Sequence, residues 1–326
     1  MWSSWRRKSA RSSPPELPAS TPRILVTGAT GFIGQRLLSS LLEAGLDVLA
    51  TVRPEKYPDT RLPANCEQLA VHLSNAEALG KALTGVSAVV YCAGSVRGAG
   101  PEDFSEANVK GVSAMLNALA SADNSPPLLL ISSLAASRPD ISDYAASKYA
   151  GEQLLSGKPQ MAWTIIRPPA VYGPGDREML PLFKMIRRGL LTRVGPGKQR
   201  VSLLHVDDLV SAILLWLSAP DMHTGQTYAI DDGTSNGYGW DDIGKAVNPG
   251  SVWSLKVPTV ALDVTARVNL FFSSLLGYTP MLTPGKVREL IQTEWLCDNR
   301  PFTDATGWKP RIDLAQGARQ LFSSKD

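Results

Sequence analysis

Residues 27–34 read Thr27-Gly28-Ala29-Thr30-Gly31-Phe32-Ile33-Gly34. An apolar run, Arg23-Ile24-Leu25-Val26, precedes them, and an apolar-periodic stretch from Phe32 to Ala44 follows. A glycine-rich turn between a strand and a helix lets a pyrophosphate approach the backbone at a helix N-terminus. Free N–H groups and the helix dipole favour an anion there. Gly28, Thr30, Gly31, Phe32, Ile33 and Gly34 are therefore candidate cofactor contacts.

Working outward from this turn, strand-like runs alternate with helix-period stretches. Ile24–Val26, Val48–Val52, Gln68–Val71, Ala88–Cys92, Leu128–Ser132 and Trp163–Arg167 read as strands, and Phe32–Ala44, Asn75–Leu83, Phe104–Ser121 and Asp143–Leu155 as helices. Such alternation predicts an α/β fold, a Rossmann-type doubly wound parallel sheet with helices on both faces. Ligands then bind outside the carboxyl ends of the strands. Arg53, Ala93-Gly94, Ser132-Ser133 and Arg167-Pro168-Pro169 fall at those ends, with the glycine turn. After Tyr172 the pattern changes to Pro/Gly-punctuated, mostly helical sequence. The expected organisation is a basic tail over 1–22, a dinucleotide-binding domain over 23–172 with returns at about 203–232, and a smaller substrate lobe from 173–202 and 233–326. Leu203–Leu217 and Gln226–Ile230 are the expected returns to the sheet domain.

Tyr144-Ala145-Ala146-Ser147-Lys148 carries the second signal. Residues four apart share a helix face, so the phenol and the ammonium stand together. A free phenol titrates near about 10, and a neighbouring cation favours the phenolate and lowers that value. Tyr144 is thus the candidate proton donor or acceptor. Lys148 is placed to tune it and to hold cofactor ribose hydroxyls, and Ser133 to hydrogen-bond the substrate oxygen. A dinucleotide turn with a Tyr–Lys pair points to hydride transfer at a carbonyl or alcohol.

The chain resembles the short-chain dehydrogenase/reductase superfamily in its extended branch. The matching residues are Thr27 to Gly34, Ile131-Ser132-Ser133, Tyr144 to Lys148, Arg167 to Asp176, Leu204-His205-Val206-Asp207-Asp208-Leu209 and Gly307-Trp308-Lys309-Pro310. The resemblance implies an NAD(P)-dependent oxidoreductase, epimerase or dehydratase with Ser133, Tyr144 and Lys148 as its catalytic set. It also implies that Asn108 belongs behind the active site, and that the segment holding Pro168 and Val171 lines the nicotinamide pocket. The family often has an acid after the third strand, where this chain has His72; His205 reads as structural.

Cofactor choice turns on the end of the second strand, Ala50-Thr51-Val52-Arg53-Pro54. An acid there usually holds a ribose 2′-hydroxyl, and an arginine a 2′-phosphate. Arg53 favours NADP, with NAD as the alternative. The leading function is an NADP-dependent reductase of a hydrophobic ketone or aldehyde, or the reverse dehydrogenase, on the hydroxysteroid dehydrogenase and dihydroflavonol reductase side of the branch. A nucleotide-sugar epimerase or dehydratase is the alternative. Against it, Leu134-Ala135-Ala136 after Ser133 lacks the dehydratase acid pair, and Arg200-Val201-Ser202 lacks the acid of sugar epimerases. A non-enzymatic cofactor sensor or assembly protein is a third reading, opposed by the intact Ser133, Tyr144 and Lys148.

Bulk properties set the bounds. The 326 residues suffice for one large α/β domain and a smaller lobe. Arg6, Arg7, Lys8 and Arg11 against Glu16 account for the whole net charge of +3, so the body is neutral and shows no nucleic-acid signature. The tail reads as a disordered extension, with a mitochondrial-type presequence or an anionic-surface tether as alternatives. Cys66, Cys92 and Cys297, without a CxxC, fit reduced thiols in a cytoplasmic setting and no metal site. No run of about 18 uninterrupted apolar residues exists, so no spanning helix is expected. Val260–Leu276 is apolar but interrupted by Asp263 and Arg267, which could pair at i,i+4. It reads as a helix packed in the second lobe, or as a greasy substrate entrance or peripheral membrane contact. The expected partner is a small-molecule substrate, and a homodimer stays open. Trp240, Trp253, Phe271, Phe272 and Trp295 are compatible with an apolar substrate.

Overall fold

The structure is a computed structural model describing residues 21–323. The basic tail, apart from Thr21 and Pro22, lies outside the described residues. The chain begins β1 (Arg23–Thr27), α1 (Phe32–Glu43), β2 (Asp47–Val52), β3 (Glu67–Ala70), α2 (Ala76–Ala82) and β4 (Val86–Tyr91). It continues α3 (Pro101–Ser105), α4 (Gly111–Ala120), β5 (Leu128–Ile131), α5 (Asp143–Ser156), β6 (Trp163–Arg167) and β7 (Ala170–Tyr172). Then come α6 (Leu180–Arg187), β8 (Leu190–Val194), β9 (Arg200–Val201), β10 (Leu203–His205), α7 (Val206–Leu217) and β11 (Gln226–Ala229). The remainder is α8 (Trp240–Val247), β12 (Trp253–Val257), α9 (Thr259–Leu276), α10 (Pro284–Leu290), β13 (Glu294–Trp295), α11 (Arg300–Thr306) and α12 (Leu314–Ser323).

Seven strands form one parallel sheet in the order β11-β6-β5-β4-β1-β2-β3. The order reverses between β1 and β4, which opens a crevice at their carboxyl ends. Successive side chains alternate between the faces of a strand, so both faces of β1 must be apolar. Ile24 and Val26 join Leu37, Leu38 and Leu41 of α1 and Leu209, Ile213 and Trp216 of α7 in one core. Leu25 joins Leu79 of α2, Val112 and Met115 of α4 and Leu155 of α5 in the other. A third core holds Tyr172, Phe183, Ile186, Leu203, Ile243 and Leu314.

Two expectations change. Gln226–Ala229 does return to the main sheet beside β6, but Leu203–His205 pairs with β7 as a separate two-stranded sheet. Only α7, packed on α1, carries that segment back to the sheet's face. The chain after Tyr172 also holds parallel strand pairs, β8 with β12 and β9 with β13, alongside its helices. Those strands are short and mixed in polarity, so no alternating pattern marks them in the sequence.

The third difference is α9. By length and composition it could cross a membrane, which a count of uninterrupted apolar residues misses. The expected pair is present, with Arg267 Nε donating to Asp263 Oδ2 at 2.8 Å. The helix is not packed inside the second lobe, however: only Ala266 and Ser273 along its length are buried.

Candidate active site

The glycine turn is built by close backbone approach. Gly28 has φ +69°, and a Cβ there would lie 2.6 Å from the Ala93 nitrogen. A Cβ on Gly34 would lie 2.2 Å from the Gly28 carbonyl oxygen. Gly31 N–H donates to that carbonyl at 2.9 Å and caps α1 with no side chain over its first N–H groups. Thr27 Oγ1 accepts from Ala93 N–H at 3.2 Å, joining the ends of β1 and β4. This cradle, which a side chain would fill, beside an uncapped twelve-residue helix fits a dinucleotide pyrophosphate. Thr30, Phe32 and Ile33 are half-buried around it.

The loop after β4 links the cradle to the chemistry. A Cβ on Gly94 would lie 3.0 Å from both Asn108 Oδ1 and Lys148 Nζ. Gly28, Ala93, Gly94, Asn108 and Lys148 thus stand in one line across the carboxyl end of the sheet. Lys148 is buried, and its ammonium donates to the Ile131 carbonyl at 3.1 Å. One turn earlier on α5, Tyr144 is hydrogen-bonded with Ser133. Ser133 ends the β5 segment, and its Oγ accepts from Ala135 N–H at 3.2 Å. The Phe104 ring tilts against Tyr144 at 6.0 Å between centroids.

Electrostatics reverse one expectation. Burial pushes the Tyr144 phenol up to about 12; the Ser133 hydrogen bond lowers it and the Glu289 carboxylate raises it further. The lysine does not bring it down as expected, because burial disfavours the phenolate and the ammonium is directed at the Ile131 carbonyl. Burial also pushes Lys148 down to about 8, against Cys92 and Glu152, which favour its charge. The phenol therefore holds its proton at neutral pH. Burial likewise raises all three thiols, Cys92 to about 12.

Asn108 is buried behind the Tyr144 and Lys148 pair. It is 2% exposed, and its Nδ2 donates to Ser147 Oγ at 2.9 Å and to the Ser95 carbonyl at 3.1 Å. Its Oδ1 accepts from Ser95 N–H at 3.2 Å. It sits in a π-helical turn, Glu106–Lys110, between α3 and α4. Wider turns of this kind free backbone groups and often mark functional positions. Here Tyr91 O–H donates to the Ala107 carbonyl at 2.8 Å, and Gly151 lets α5 press against the Asn108 carbonyl.

Other predicted residues lie apart. Arg53 follows β2 directly, exposed, its Nε 3.7 Å from Glu55 Oε1. His72 is also exposed, 3.9 Å from the other oxygen of that carboxylate. Pro168 accepts Leu134 N–H at 2.8 Å, beside the turn after Ser133, whereas Val171 packs against the first core. His205 is fully buried and caps α7, accepting from Asp207 N–H at 3.3 Å. Trp240 and Trp295 are half-buried and tied to Val194 and Glu289 carbonyls. Trp253, Phe271 and Phe272 are exposed, and the aromatic wall beside Tyr144 is Phe104.

The site also holds residues the sequence did not announce. Glu152 is 2% exposed and takes two bonds from Arg167, Nε at 2.9 Å and Nη2 at 2.5 Å, with Ser132 Oγ at 2.5 Å. Its i,i+4 spacing from Lys148 was the available signal. Glu289 faces the cleft of Tyr144, accepts from Ser142 Oγ, and pairs with Lys286 at 2.8 Å. No local pattern could link it to Tyr144, since α10 reaches the cleft only through tertiary packing. Leu270, Pro280 and Met281 give the same cleft an apolar side, and Arg97 a cationic one.

The family model of the NAD dependent epimerase/dehydratase family matches residues 24–231. The chain is 30% identical over 297 residues to the ceramide reductase of Caulobacter vibrioides (strain NA1000 / CB15N), covering 90% of this chain and 91% of that protein. It is 30% identical over 334 residues to the 2-alkyl-3-oxoalkanoate reductase of Stenotrophomonas maltophilia (strain K279a), covering 93% and 99%. The solved UDP-glucose 4-epimerase of Thermotoga maritima superposes with a TM-score of 0.72 at 19% identity, over 92% of this chain and 96% of that one. That last likeness is one of fold.

Proposed function

The chain belongs to the NAD dependent epimerase/dehydratase family, within the extended short-chain dehydrogenase/reductases, and is an NAD(P)-dependent oxidoreductase; from this premise we propose that it reduces a hydrophobic ketone or aldehyde with NADPH through Ser133, Tyr144 and Lys148. The observation that carries the reading is the Ser133–Tyr144 hydrogen bond in a cleft sided by Phe104, Leu270 and Met281. The names of both relatives above denote reductases, of a ceramide and of a 2-alkyl-3-oxoalkanoate. Leu134, Ala135 and Ala136 are buried apolar side chains in the turn after Ser133, where an eliminating enzyme of this branch would carry acids.

The residues divide the work as follows. The glycine cradle and the N-terminus of α1 hold the pyrophosphate. Lys148 would hold ribose hydroxyls, and Arg53, beside Glu55, would hold a 2′-phosphate, which suits a guanidinium bidentately. When bound, a reduced nicotinamide would supply the hydride for the carbonyl carbon. Ser133 orients the carbonyl oxygen, and Tyr144 gives it the phenolic proton, so that an alcohol leaves.

The test follows reduced-cofactor absorbance against two substrates, a long-chain 2-alkyl-3-oxo acid and UDP-glucose. NADPH is expected to fall one-for-one with carbonyl reduced and faster than NADH, and Arg53→Ala to erase that preference. Turnover of the nucleotide sugar without net cofactor oxidation would establish the epimerase reading instead. Equal loss of both cofactors in Arg53→Ala would overturn the NADP assignment.

Lys148 sets a pH limit. Its value of about 8 in the folded chain lies below the 10.5 of an ordinary lysine. Between those two values the unfolded chain holds more protons, so this group adds stability as pH rises across that window. The charge that serves the ribose is lost over the same window. Cofactor affinity titrated from about pH 7 to 10 is expected to fall as pH rises through 8. A flat profile would remove the ammonium from cofactor binding.

A further inference from the structure

We propose that α9 is an interfacial helix that docks the protein on an anionic lipid surface, lying in the plane of the headgroups. Val260, Val264, Val268, Phe271 and Leu275 recur at spacings of three and four along Thr259–Leu276, and they are 73%, 55%, 48%, 66% and 69% exposed. At about 100° per residue these positions, with Phe272, fill one continuous arc. Asp263 and Arg267 lie at the edge of that arc, neutralising one another, and Ala266 and Ser273 lie on the opposite, inward face. An apolar face this continuous is costly to leave in water and marks an interaction surface.

The same helix cannot cross a bilayer in this fold, although it is long enough by length alone. Both of its ends are tied to one globular body. Before it, β12 pairs with β8 from Trp253 to Val257. Within its second half, Asn269 Nδ2 donates to the Leu282 carbonyl at 2.9 Å, and Tyr278 O–H donates to Asn269 Oδ1 at 2.6 Å. α10 then packs against α9. A spanning segment would have to deliver its following chain to the far side.

Charge selects the occupant. Residues 251–289 carry Lys256, Arg267, Lys286 and Arg288 against Asp263 and Glu289, a local basic excess in a body that is neutral outside residues 1–22. The sequence has a second basic stretch in residues 1–22, with Arg6, Arg7, Lys8 and Arg11 against Glu16. Aromatic and aliphatic side chains on one face with basic residues around it are the composition of helices that bind anionic lipid surfaces. A second copy of this chain would bring the same basic excess to the same face and repel it. Leu270 of this helix and Met281 beyond it border the Tyr144 cleft, so docking places the cleft beside lipid.

Flotation of the full chain with vesicles of phosphatidylglycerol and phosphatidylethanolamine tests this directly. Wild type is expected in the floating fraction. Phe271→Ser/Leu275→Ser is expected to bind at least about tenfold less, with unchanged circular dichroism, elution volume and cofactor binding. Val264→Ser/Val268→Ser gives a second variant should the first fail to fold. Wild type left in the aqueous fraction, or both variants floating as wild type does, would overturn the proposal. So would a wild-type dimer that the variants convert to monomer, which would assign the face to a second copy. Equal recovery on pure phosphatidylcholine vesicles would overturn the anionic-surface assignment. The readout is binding alone, so failure of the reductase reading would be seen separately, in the cofactor assay.

Discussion

Tyr144→Phe is expected to lower turnover by about 10²- to 10⁴-fold and to leave cofactor binding nearly unchanged. The phenol is the acid at the carbonyl oxygen in the proposed reaction, and burial keeps its proton in place with a value of about 12. Phenylalanine keeps the ring against Phe104 and removes only the hydroxyl that meets Ser133. The pyrophosphate cradle at Gly28 and Gly34 lies beyond it, across Ala93 and Gly94. Steady-state turnover with a cofactor titration separates the two effects. A variant within a few-fold of wild-type turnover would show that the proton comes from elsewhere.

Arg167→Met is expected to cost about 3–5 kcal/mol of folding stability, since it strands a buried carboxylate. Glu152 is 2% exposed, and of its three side-chain bonds two come from Arg167 and one from Ser132. The pair joins the end of β6 to α5, with Ser132 just past β5 and next to Ser133, and Glu152 one turn from Lys148. Its loss should also loosen the neighbouring Ser133 and Lys148. Glu152→Gln in the same chain removes the stranded charge and keeps an acceptor for Ser132, so the double variant is expected to recover much of the loss. Denaturant unfolding of both variants measures this. A single variant as stable as wild type would show that water solvates Glu152 in place of the arginine.

The main frame was legible from local pattern. Strands β1 to β6 and helices α1, α2 and α5 stand within a few residues of where alternation and apolar period place them, since each must bury a face against the sheet. The glycine turn was legible for the same reason, as only residues without a Cβ fit where the Gly28 and Gly34 backbones close up. Spacing alone put Tyr144 and Lys148 on one helix face, and their neighbourhood at the end of β5 followed from the strand order.

Tertiary structure decided what depends on distant chain. The sign of the Tyr144 shift could not be read from Lys148 four residues on, because burial and Glu289 from α10 outweigh a cation aimed at the Ile131 carbonyl. The pairing of β10 with β7 was equally hidden, since three-residue strands carry no period. The apolar stripe of α9 could be counted in the sequence, but its outward direction is set by β12, Asn269 and α10, which hold the other face. Sequence by itself determined which residues are apolar, glycine or charged, and so the layered sheet and its cofactor turn. Only packing decided which charges face one another and which apolar face is left to water, because desolvation and contact depend on neighbours that the chain brings together from far apart.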